Sequence, residues 1–179
     1  VVVYPQQARG SNAQSCWNWF SSNDQCRGEG EPAILAGITQ QVMAEHGVGA
    51  GHTFIAGLSA GAAMAIIMGR VYPDIFAAVG VHSGLPYGAA HDMPSAFAAM
   101  GGQGPDLPDT QSRGIVTRMI VFHGSADHTV HPSNVARITR QALDGGPRES
   151  SITEETGREA GRSFTRQTTM TPDGKIFLE

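Results

Sequence analysis

The stretch FIAGLSAGAAMAIIMG, from Phe54 to Gly69, places one serine between two glycines in the pattern G-L-S-A-G. An apolar, strand-like run ends at Ala56, and small and apolar residues at helical spacing follow from Ala60. A strand, a tight turn and a helix in this order are the context that a nucleophile elbow requires. The glycines leave room for a strained backbone that exposes the Ser59 hydroxyl at the carboxyl end of a sheet. The alternative is a serine that caps the start of a helix.

The rest of the chain alternates between strand-like and helix-like segments. We expect strands at Val1–Tyr4, His52–Ala56, Ile75–Val81 and Met119–Phe122. We expect helices at Glu31–His46, Ala60–Val71, Ser95–Met100 and Pro132–Leu143. The remaining segments read as loops at 5–30, 83–117 and 144–161, and as a hairpin of Ser163–Thr169 with Lys175–Leu178. Strands separated by helices predict an α/β fold, namely one domain over residues 1–179 with a mostly parallel sheet and helices on both faces.

Composition and charge narrow the classes of function. Only 16% of the 179 residues are charged, below the roughly 25% of ordinary globular chains. The net charge of −4 gives no electrostatic basis for binding nucleic-acid phosphates or an anionic membrane surface. The longest apolar run surrounds Ser59 and is broken by glycines, so it does not indicate a membrane span. We also find no pattern of a signal peptide in these residues.

A second stretch, IVFHGSADHTVHP from Ile120 to Pro132, contains the candidate acid. In hydrolases with a nucleophile elbow, the acid follows the serine in the loop after a later strand, and the histidine comes last. Asp127 has that position, where it would orient a histidine and stabilise the imidazolium. Clustered His123, His128 and His131 are an alternative as metal ligands, although they lack a fixed ligand spacing. A carboxylate that only braces the loop is the other alternative.

Four motifs, CWNWF, GLSAGAAMA, VGVHSGLPYG and VFHGSADHTVHPSN, together resemble the polyhydroxybutyrate depolymerase and feruloyl esterase group of α/β-hydrolases. The resemblance runs along nearly the whole chain. It implies an α/β-hydrolase fold, Ser59 as the nucleophile, Asp127 as the triad acid, and chemistry without a cofactor or metal. Members of the group cleave short-chain ester bonds in polymers or oligomers, or acyl esters on plant polysaccharides. Many are exported, so the resemblance implies an extracellular or periplasmic location.

Other residues near these motifs are candidates for the site. The backbone N–H of Ala60, directly after the serine, is a candidate oxyanion donor. Trp17, beside Trp19 and Phe20, is a candidate for substrate binding, and packing against the sheet is equally open. His82 ends the strand after the elbow helix and is a candidate for substrate binding or for a structural corner. Finally, a disulfide between the two cysteines, Cys16 and Cys26, is as open as two free thiols.

The family pattern also includes parts that we do not find in this chain. Its second oxyanion donor precedes the segment matching VVVYPQQ, and its catalytic histidine follows the strand matching KIFLE. His128 adjoins Asp127, His131 opens the next helix and His82 breaks the triad order, so we expect no internal base. We therefore expect a piece of a serine esterase, truncated at both ends and weakly active or inactive alone, that acts on hydroxyalkanoate polyesters or oligoesters. The alternatives are a feruloyl or acetyl esterase acting on plant polysaccharide, or a non-catalytic remnant of a hydrolase.

Overall fold

Helices and strands alternate along the part of the chain that the computed structural model describes, residues 1–104, 117–147 and 149–179. The helices are α1 (Gly30–His46), α2 (Ala60–Val71), α3 (Met93–Met100) and α4 (Ser133–Asp144), preceded by a 3₁₀ turn at Ser22–Gln25. The strands are β1 (Phe54–Leu58), β2 (Ala78–His82), β3 (Arg118–Phe122), β4 (Ser151–Glu159), β5 (Arg162–Met170) and β6 (Ile176–Leu178). The α/β alternation expected from the sequence is therefore confirmed.

All six of these strands form one mixed sheet in the order β1-β2-β3-β6-β5-β4. The first four strands of that order run parallel, while β5 and β4 are antiparallel to their neighbours. Leu58, His82 and Phe122, the last residues of β1, β2 and β3, lie side by side in the register. The segments that follow these three strands consequently leave the sheet at the same edge.

Helix α2 is the most buried helix segment, because every residue from Ala62 to Gly69 is buried. One set of its side chains packs with α1 and α3, and a second set packs on β2 and on Ile138 of α4. Gly69 permits a close approach to the sheet, since a Cβ there would lie 2.3 Å from Val79 Cγ2. Small residues along the helix thus let it lie directly on the strands that carry the candidate site.

In the described residues, helices α2 and α4 share one core cluster with β2, on one face of the sheet. Phe54 and Leu58 alternate with the half-buried residues of β1 and are 62% and 64% exposed. The expected sheet with helices packed on it is therefore present in this part of the chain. Residues 105–116 of the expected 83–117 loop lie outside the described residues.

Strands β4 and β5 form a long hairpin that the sequence analysis did not predict. Each strand contributes nine residues to the antiparallel ladder. The two-residue turn, Ala160 and Gly161, has φ values of 47° and 81°, which is the geometry of a type I′ hairpin turn. The expected loop at 144–161 is wrong because β4 is exposed along almost its whole length, so no apolar alternation marks it. Between this hairpin, β3 and α4 lies a groove of ≈ 470 Å³.

Two other expected strands differ from the structure. Val1–Tyr4 is not a strand, and its side chains are exposed. A β-branched run forms a strand only when another strand pairs with it. The apolar run from Ile75 becomes a strand only at Ala78, since Ile75 and Phe76 form a buried turn bonded to Tyr72. By contrast, the expected terminal hairpin is confirmed by the antiparallel pairing of β5 with β6.

Candidate active site

Ser59 lies at the junction of β1 and α2 in a strained backbone conformation. Its φ is 55° and its ψ is −120°, a conformation that costs a non-glycine residue about 1–3 kcal/mol. The amide N–H of Ser59 donates to the carbonyl oxygen of His82 at 2.9 Å, and its own carbonyl oxygen accepts from the N–H groups of Ala62 and Ala63. Its side chain makes no helix-cap hydrogen bond. The side chain of Ser59 therefore does not cap α2, and the alternative of a capping serine is wrong.

The two glycines of G-L-S-A-G differ in what surrounds them. A Cβ on Gly57 would lie 2.1 Å from the carbonyl oxygen of Gly61, a distance that requires the backbone to shift. Strand β1 therefore meets the first turn of α2 so closely that only glycine fits at position 57. A Cβ on Gly61 would contact only Trp17 Cδ1, at an ordinary 3.8 Å. The elbow thus requires glycine at the first position and has room for alanine at the second.

Ala60 is the first residue of α2 and directly follows the candidate nucleophile. N–H groups in the first turn of a helix have no acceptor within the helix, and the helix dipole adds partial positive charge there. Within the described ranges, the Ala60 N–H has no backbone acceptor. This N–H is therefore available to an anion that forms beside the Ser59 hydroxyl.

Asp127 lies in the loop between β3 and α4, and its carboxylate is held by backbone donors. Its Oδ1 accepts the N–H groups of Thr129 and Val130, both at 2.9 Å. Hydrogen bonding by the Val130 N–H, the Ser83 hydroxyl and the Thr129 N–H lowers the pKa of Asp127 to about 2. The side chain is 18% exposed. Asp127 is therefore an anion wherever a histidine titrates, as the acid of a triad must be.

The end of β2 connects Ser59 to Asp127. The carbonyl oxygen of His82 accepts the Ser59 N–H, and the next residue, Ser83, donates its N–H to Phe122 at 2.9 Å. Ser83 is buried with a φ of 50°, and its hydroxyl lies 3.2 Å from His82 Nδ1. Because the same hydroxyl lowers the pKa of Asp127, the corner after β2 touches both candidate groups. The His82 side chain is exposed at this edge of the sheet.

His123 packs under Asp127, and neither of its ring nitrogens is bonded to Ser59. Its Nε2 lies 2.8 Å from the carbonyl oxygen of Val130 and 3.5 Å from Asp127 Oδ2. The ring is 4% exposed, and Nδ1 is buried without a partner among the described residues. His123 therefore braces the loop that carries the candidate acid.

The other histidines do not join Ser59 to Asp127 either. All seven histidines of the chain lie in the described ranges, and none is hydrogen-bonded to the Ser59 hydroxyl there. His131 Nδ1 lies 2.8 Å from Ser133 Oγ, and His128 is exposed. Across residues 1–104, 117–147 and 149–179, no three His, Cys, Asp or Glu side chains are grouped as a metal site would need.

The three aromatic residues of CWNWF separate into two environments. Trp19 is 6% exposed in the core and meets Phe20 edge to face, with ring centroids 5.8 Å apart. Trp17 is half-buried, and its ring lies against the first turn of α2, beside Gly61. Of the three, Trp17 is therefore the one adjacent to the elbow.

Cys16 and Cys26 are both free thiols. Cys16 Sγ lies 3.7 Å from the carbonyl oxygen of Gln14, and Cys26 Sγ lies 3.6 Å from that of Ser22. The sequence left open a Cys16–Cys26 disulfide or two free thiols, and the structure has the free thiols.

The contacts of Asp127 with Ser83 and His123 are parts of the site that the sequence analysis did not identify. From the sequence, His123 is only a candidate metal ligand, and Ser83 is only a residue of the motif VGVHSGLPYG. The alignment of the ends of β2 and β3 brings them together. Knowing that His82 and Phe122 are paired at the ends of β2 and β3 would have placed Ser83 beside Asp127.

The strands β1, β2 and β3 are parallel, Ser59 follows β1 in a strained turn, and the hydrogen-bonded carboxylate of Asp127 follows β3. This arrangement defines the α/β-hydrolase class. The chain belongs to the esterase PHB depolymerase family, whose model matches residues 1–166.

Similar proteins come from bacteria and fungi. Poly(3-hydroxyalkanoate) depolymerase C of Paucimonas lemoignei is 36% identical over 153 residues, covering 78% of this chain and 36% of the relative. Acetylxylan esterase A of Talaromyces purpureogenus is 28% identical over 158 residues, covering 79% of this chain and 40% of the relative. The chain thus spans less than half the length of these two relatives.

A solved structure of an acetyl xylan esterase from Aspergillus awamori superimposes with a TM-score of 0.65. The two proteins are 21% identical, and the match covers 90% of this chain and 65% of that one. This likeness confirms the α/β-hydrolase fold. No helix in the described part of the chain has the length and apolar character needed to cross a bilayer.

Proposed function

We propose that residues 1–179 belong to the catalytic domain of a serine esterase that hydrolyses carboxylic esters through an acyl-enzyme on Ser59. Asp127 is the acid of its triad, and the Ala60 N–H is one donor of its oxyanion hole. The observation that carries the proposal is the φ of 55° at Ser59, in a turn where the side chain does not cap the helix. Strain of this kind persists where a function requires it, and a nucleophile elbow is such a place.

The reaction follows from these positions. Ser59 Oγ attacks the ester carbonyl carbon, and its proton passes to a histidine base, whose charge Asp127 stabilises. The bond from the carbonyl carbon to the alcohol oxygen then breaks, and the alcohol leaves with that proton. Water next attacks the acyl-enzyme and gives one proton to the histidine; the bond to Ser59 Oγ then breaks, the carboxylic acid leaves and the histidine passes that proton to Ser59 Oγ. During both attacks the Ala60 N–H donates to the negatively charged carbonyl oxygen.

The histidine base is the part that the described geometry does not supply. No histidine of the chain bonds to the Ser59 hydroxyl, and His123 is buried below Asp127 with its Nε2 against a carbonyl oxygen. We therefore propose that a further segment or chain provides the base. Because general acid–base catalysis contributes about 10²–10⁴-fold in rate, residues 1–179 alone should be weakly active or inactive.

The substrate class that we favour is short-chain hydroxyalkanoate polyesters and their oligomers. The similarity to poly(3-hydroxyalkanoate) depolymerase C supports this class, since it has the higher identity of the two relatives described. The indole of Trp17 lies beside Gly61 of the elbow, and His82 is exposed and bonded to Ser59 through its backbone. Both side chains would contact the acyl group. Acetyl or feruloyl esters of plant polysaccharides are the second candidate, which the acetylxylan esterase relatives support.

Supplying the base from solution tests this proposal. The chain would be incubated with 3-hydroxybutyrate trimer, acetylated xylo-oligosaccharide or methyl ferulate, with and without imidazole, and the released acids quantified. We expect release to need both imidazole and Ser59, with Ser59→Ala as the control for hydrolysis by imidazole itself. The trimer should be cleaved fastest.

Each of the other outcomes contradicts a different part. Release by Ser59→Ala at the wild-type rate, with imidazole present, would reject Ser59 as the nucleophile. A preference for the acetylated oligosaccharide or for methyl ferulate would replace the polyester with the second candidate. Robust turnover without imidazole would show that a base already reaches Ser59, and no turnover under any condition would favour a non-catalytic chain.

A further inference from the structure

Glu31 is a buried carboxylate in the first turn of α1, and the proposed reaction does not use it. The residue is 7% exposed. Burial raises the pKa of Glu31, while hydrogen bonds from Asn18 and Gln7 act in the opposite direction. A buried carboxylate is costly unless donors satisfy its oxygens. The identity of those donors therefore shows what the residue holds in place.

The donors come from the loop that carries Trp17. Glu31 Oε2 accepts the backbone N–H of Asn18 at 2.7 Å, and Oε1 accepts Asn18 Nδ2 at 2.6 Å. Oε1 also accepts from Gln7 Nε2, and the same amide nitrogen lies 3.2 Å from the carbonyl oxygen of Cys16. Glu31 thus holds Asn18 directly and Cys16 through Gln7, which are the residues on either side of Trp17.

From residue 7 to residue 18 this loop has no helix or strand ladder, and its backbone bonds are those of turns, such as Ser15 N–H to the Asn12 carbonyl oxygen. Side-chain hydrogen bonds therefore add much of what holds its path. Asn18 adds two of them, accepting from Asn12 Nδ2 at 2.8 Å and donating to the Ser11 carbonyl oxygen at 3.3 Å. Both join Asn18 to other residues of the same loop. The bonds to Glu31 instead tie the loop to α1, which belongs with α2 to the core cluster against which Trp17 packs.

We propose that Glu31 is a positioning residue, whose carboxylate clamps the peptide units on both sides of Trp17 and holds the indole beside Ser59 as a wall of the ester-binding site. The ester-binding part rests on the proposed function. The clamp itself concerns only where Trp17 is held, so it can be tested without any reaction.

Charges around the clamp define how it responds to pH. The charged group that faces Glu31 is Asp24 of the 3₁₀ turn, whose Oδ1 accepts the Glu31 N–H at 2.7 Å, and it adds to the raised pKa of Glu31. Gln7 and Asn18, which face it from the loop, are neutral. Protonation of Glu31 weakens both oxygens as acceptors and adds a hydrogen where donors already converge. The hydrogen bonds of the clamp, and with them the surroundings of Trp17, should therefore change as Glu31 titrates.

Fluorine NMR of the chain labelled with 5-fluorotryptophan tests the clamp. The chain has two tryptophans, so two resonances are expected, and Trp17→Phe assigns them. Glu31→Gln should shift the Trp17 resonance and increase its H₂O/D₂O isotope effect, because the indole gains solvent. The buried Trp19 resonance should not move. The matched control is Glu29→Gln, an exposed residue whose side chain makes no cap hydrogen bond, and it should leave both resonances unchanged.

An unchanged Trp17 resonance in Glu31→Gln, with Trp19 as in the wild type, would overturn the clamp. If Glu31→Gln also loses the Trp19 resonance and has not folded, the wild-type chain decides the matter. Its Trp17 resonance should follow the titration of Glu31, monitored through the carboxyl carbon, while Trp19 stays constant. A Trp17 resonance that is flat across that titration would overturn the proposal.

Ligand binding tests the second part of the proposal. Titration with 3-hydroxybutyrate trimer should perturb Trp17, with a Kd about tenfold higher in Glu31→Gln than in the wild type or Glu29→Gln. Equal Kd values in all three would remove Glu31 from substrate binding. A trimer that binds the wild type without perturbing Trp17 would reject the indole as a wall of the site, whereas the proposed chemistry of Ser59 would be untouched.

Discussion

At the scale of single residues, replacing each of the two glycines around Ser59 by alanine should have a different effect on stability. Gly57→Ala would drive a Cβ into the Gly61 carbonyl, and forced overpacking of this kind costs about 1–3 kcal/mol or more. Gly61→Ala has only an ordinary contact with Trp17, so it should leave stability unchanged or raise it by up to about 1 kcal/mol. Urea unfolding of both variants checks this, and equal losses in the two would contradict the account of the elbow.

Asp127 makes a prediction about pH. Its folded-state pKa of about 2 lies below the ordinary value of 3.8, so the ionised carboxylate stabilises the folded chain. That contribution is fully present above the unfolded value and is lost as pH falls through the folded one. The stability difference between wild type and Asp127→Asn should therefore shrink below pH 3.8 and go on shrinking as pH falls through about 2, as urea unfolding at each pH would show.

A second variant checks the cause of the Asp127 shift. Ser83→Ala removes one of the hydrogen-bonding groups that lower the pKa, so the titration midpoint of Asp127 should move upward in this variant. Carbon-13 NMR of the carboxyl group measures both midpoints. A wild-type midpoint at the ordinary 3.8 would contradict the description of Asp127 as a supported anion.

How far the sequence predicts the site depends on how local each contact is. Ser59, Ala60 and Asp127 could be named because each lies at a fixed offset from a strand end. Ser83 and Glu31 could not be named from the sequence. Ser83 follows β2 and contacts Asp127 after the neighbouring strand β3, and Glu31 bonds to Asn18 from beyond a 3₁₀ turn and a loop. Such contacts depend on register and loop path, which a pattern along the chain does not contain.

At the scale of elements, the β4–β5 turn provides a test of hairpin geometry. Ala160 has a φ of 47°, in the left-handed region that costs an L-residue about 1–2 kcal/mol. Asn-Gly is the preferred pair for a type I′ turn, so Ala160→Asn should slow amide hydrogen exchange along β4 and β5. The control is Ala142→Asn in α4, which buries an amide and should destabilise the chain. Faster exchange in Ala160→Asn would show that the turn is of another type.

The helices were predicted more accurately than the strands, for a physical reason. A helix satisfies its own hydrogen bonds, so α1 and α2 appear at the expected residues within about one position. A strand needs a partner, and Val1–Tyr4 has the residues of a strand but pairs with nothing in the described chain. Exposed β4 shows the converse, because its pairing with β5 suffices without an apolar pattern.

At the scale of the whole molecule, three parallel strands end at one edge of the sheet and present Ser59, the His82–Ser83 corner and Asp127 there. Trp17 lies beside Gly61, in the first turn of the helix that follows Ser59. The central claim is that Ser59 is a nucleophile prepared by the fold, and that no histidine within residues 1–179 acts as its base.

Covalent labelling tests that claim most directly. The chain and its Ser59→Ala variant would be treated with a fluorophosphonate, with and without imidazole, and the intact masses measured on folded protein. The account predicts a single adduct on Ser59 that forms slowly alone and faster with imidazole, and that is absent from Ser59→Ala. An adduct that forms equally in Ser59→Ala, or a folded wild-type chain that stays unlabelled even with imidazole, would contradict it.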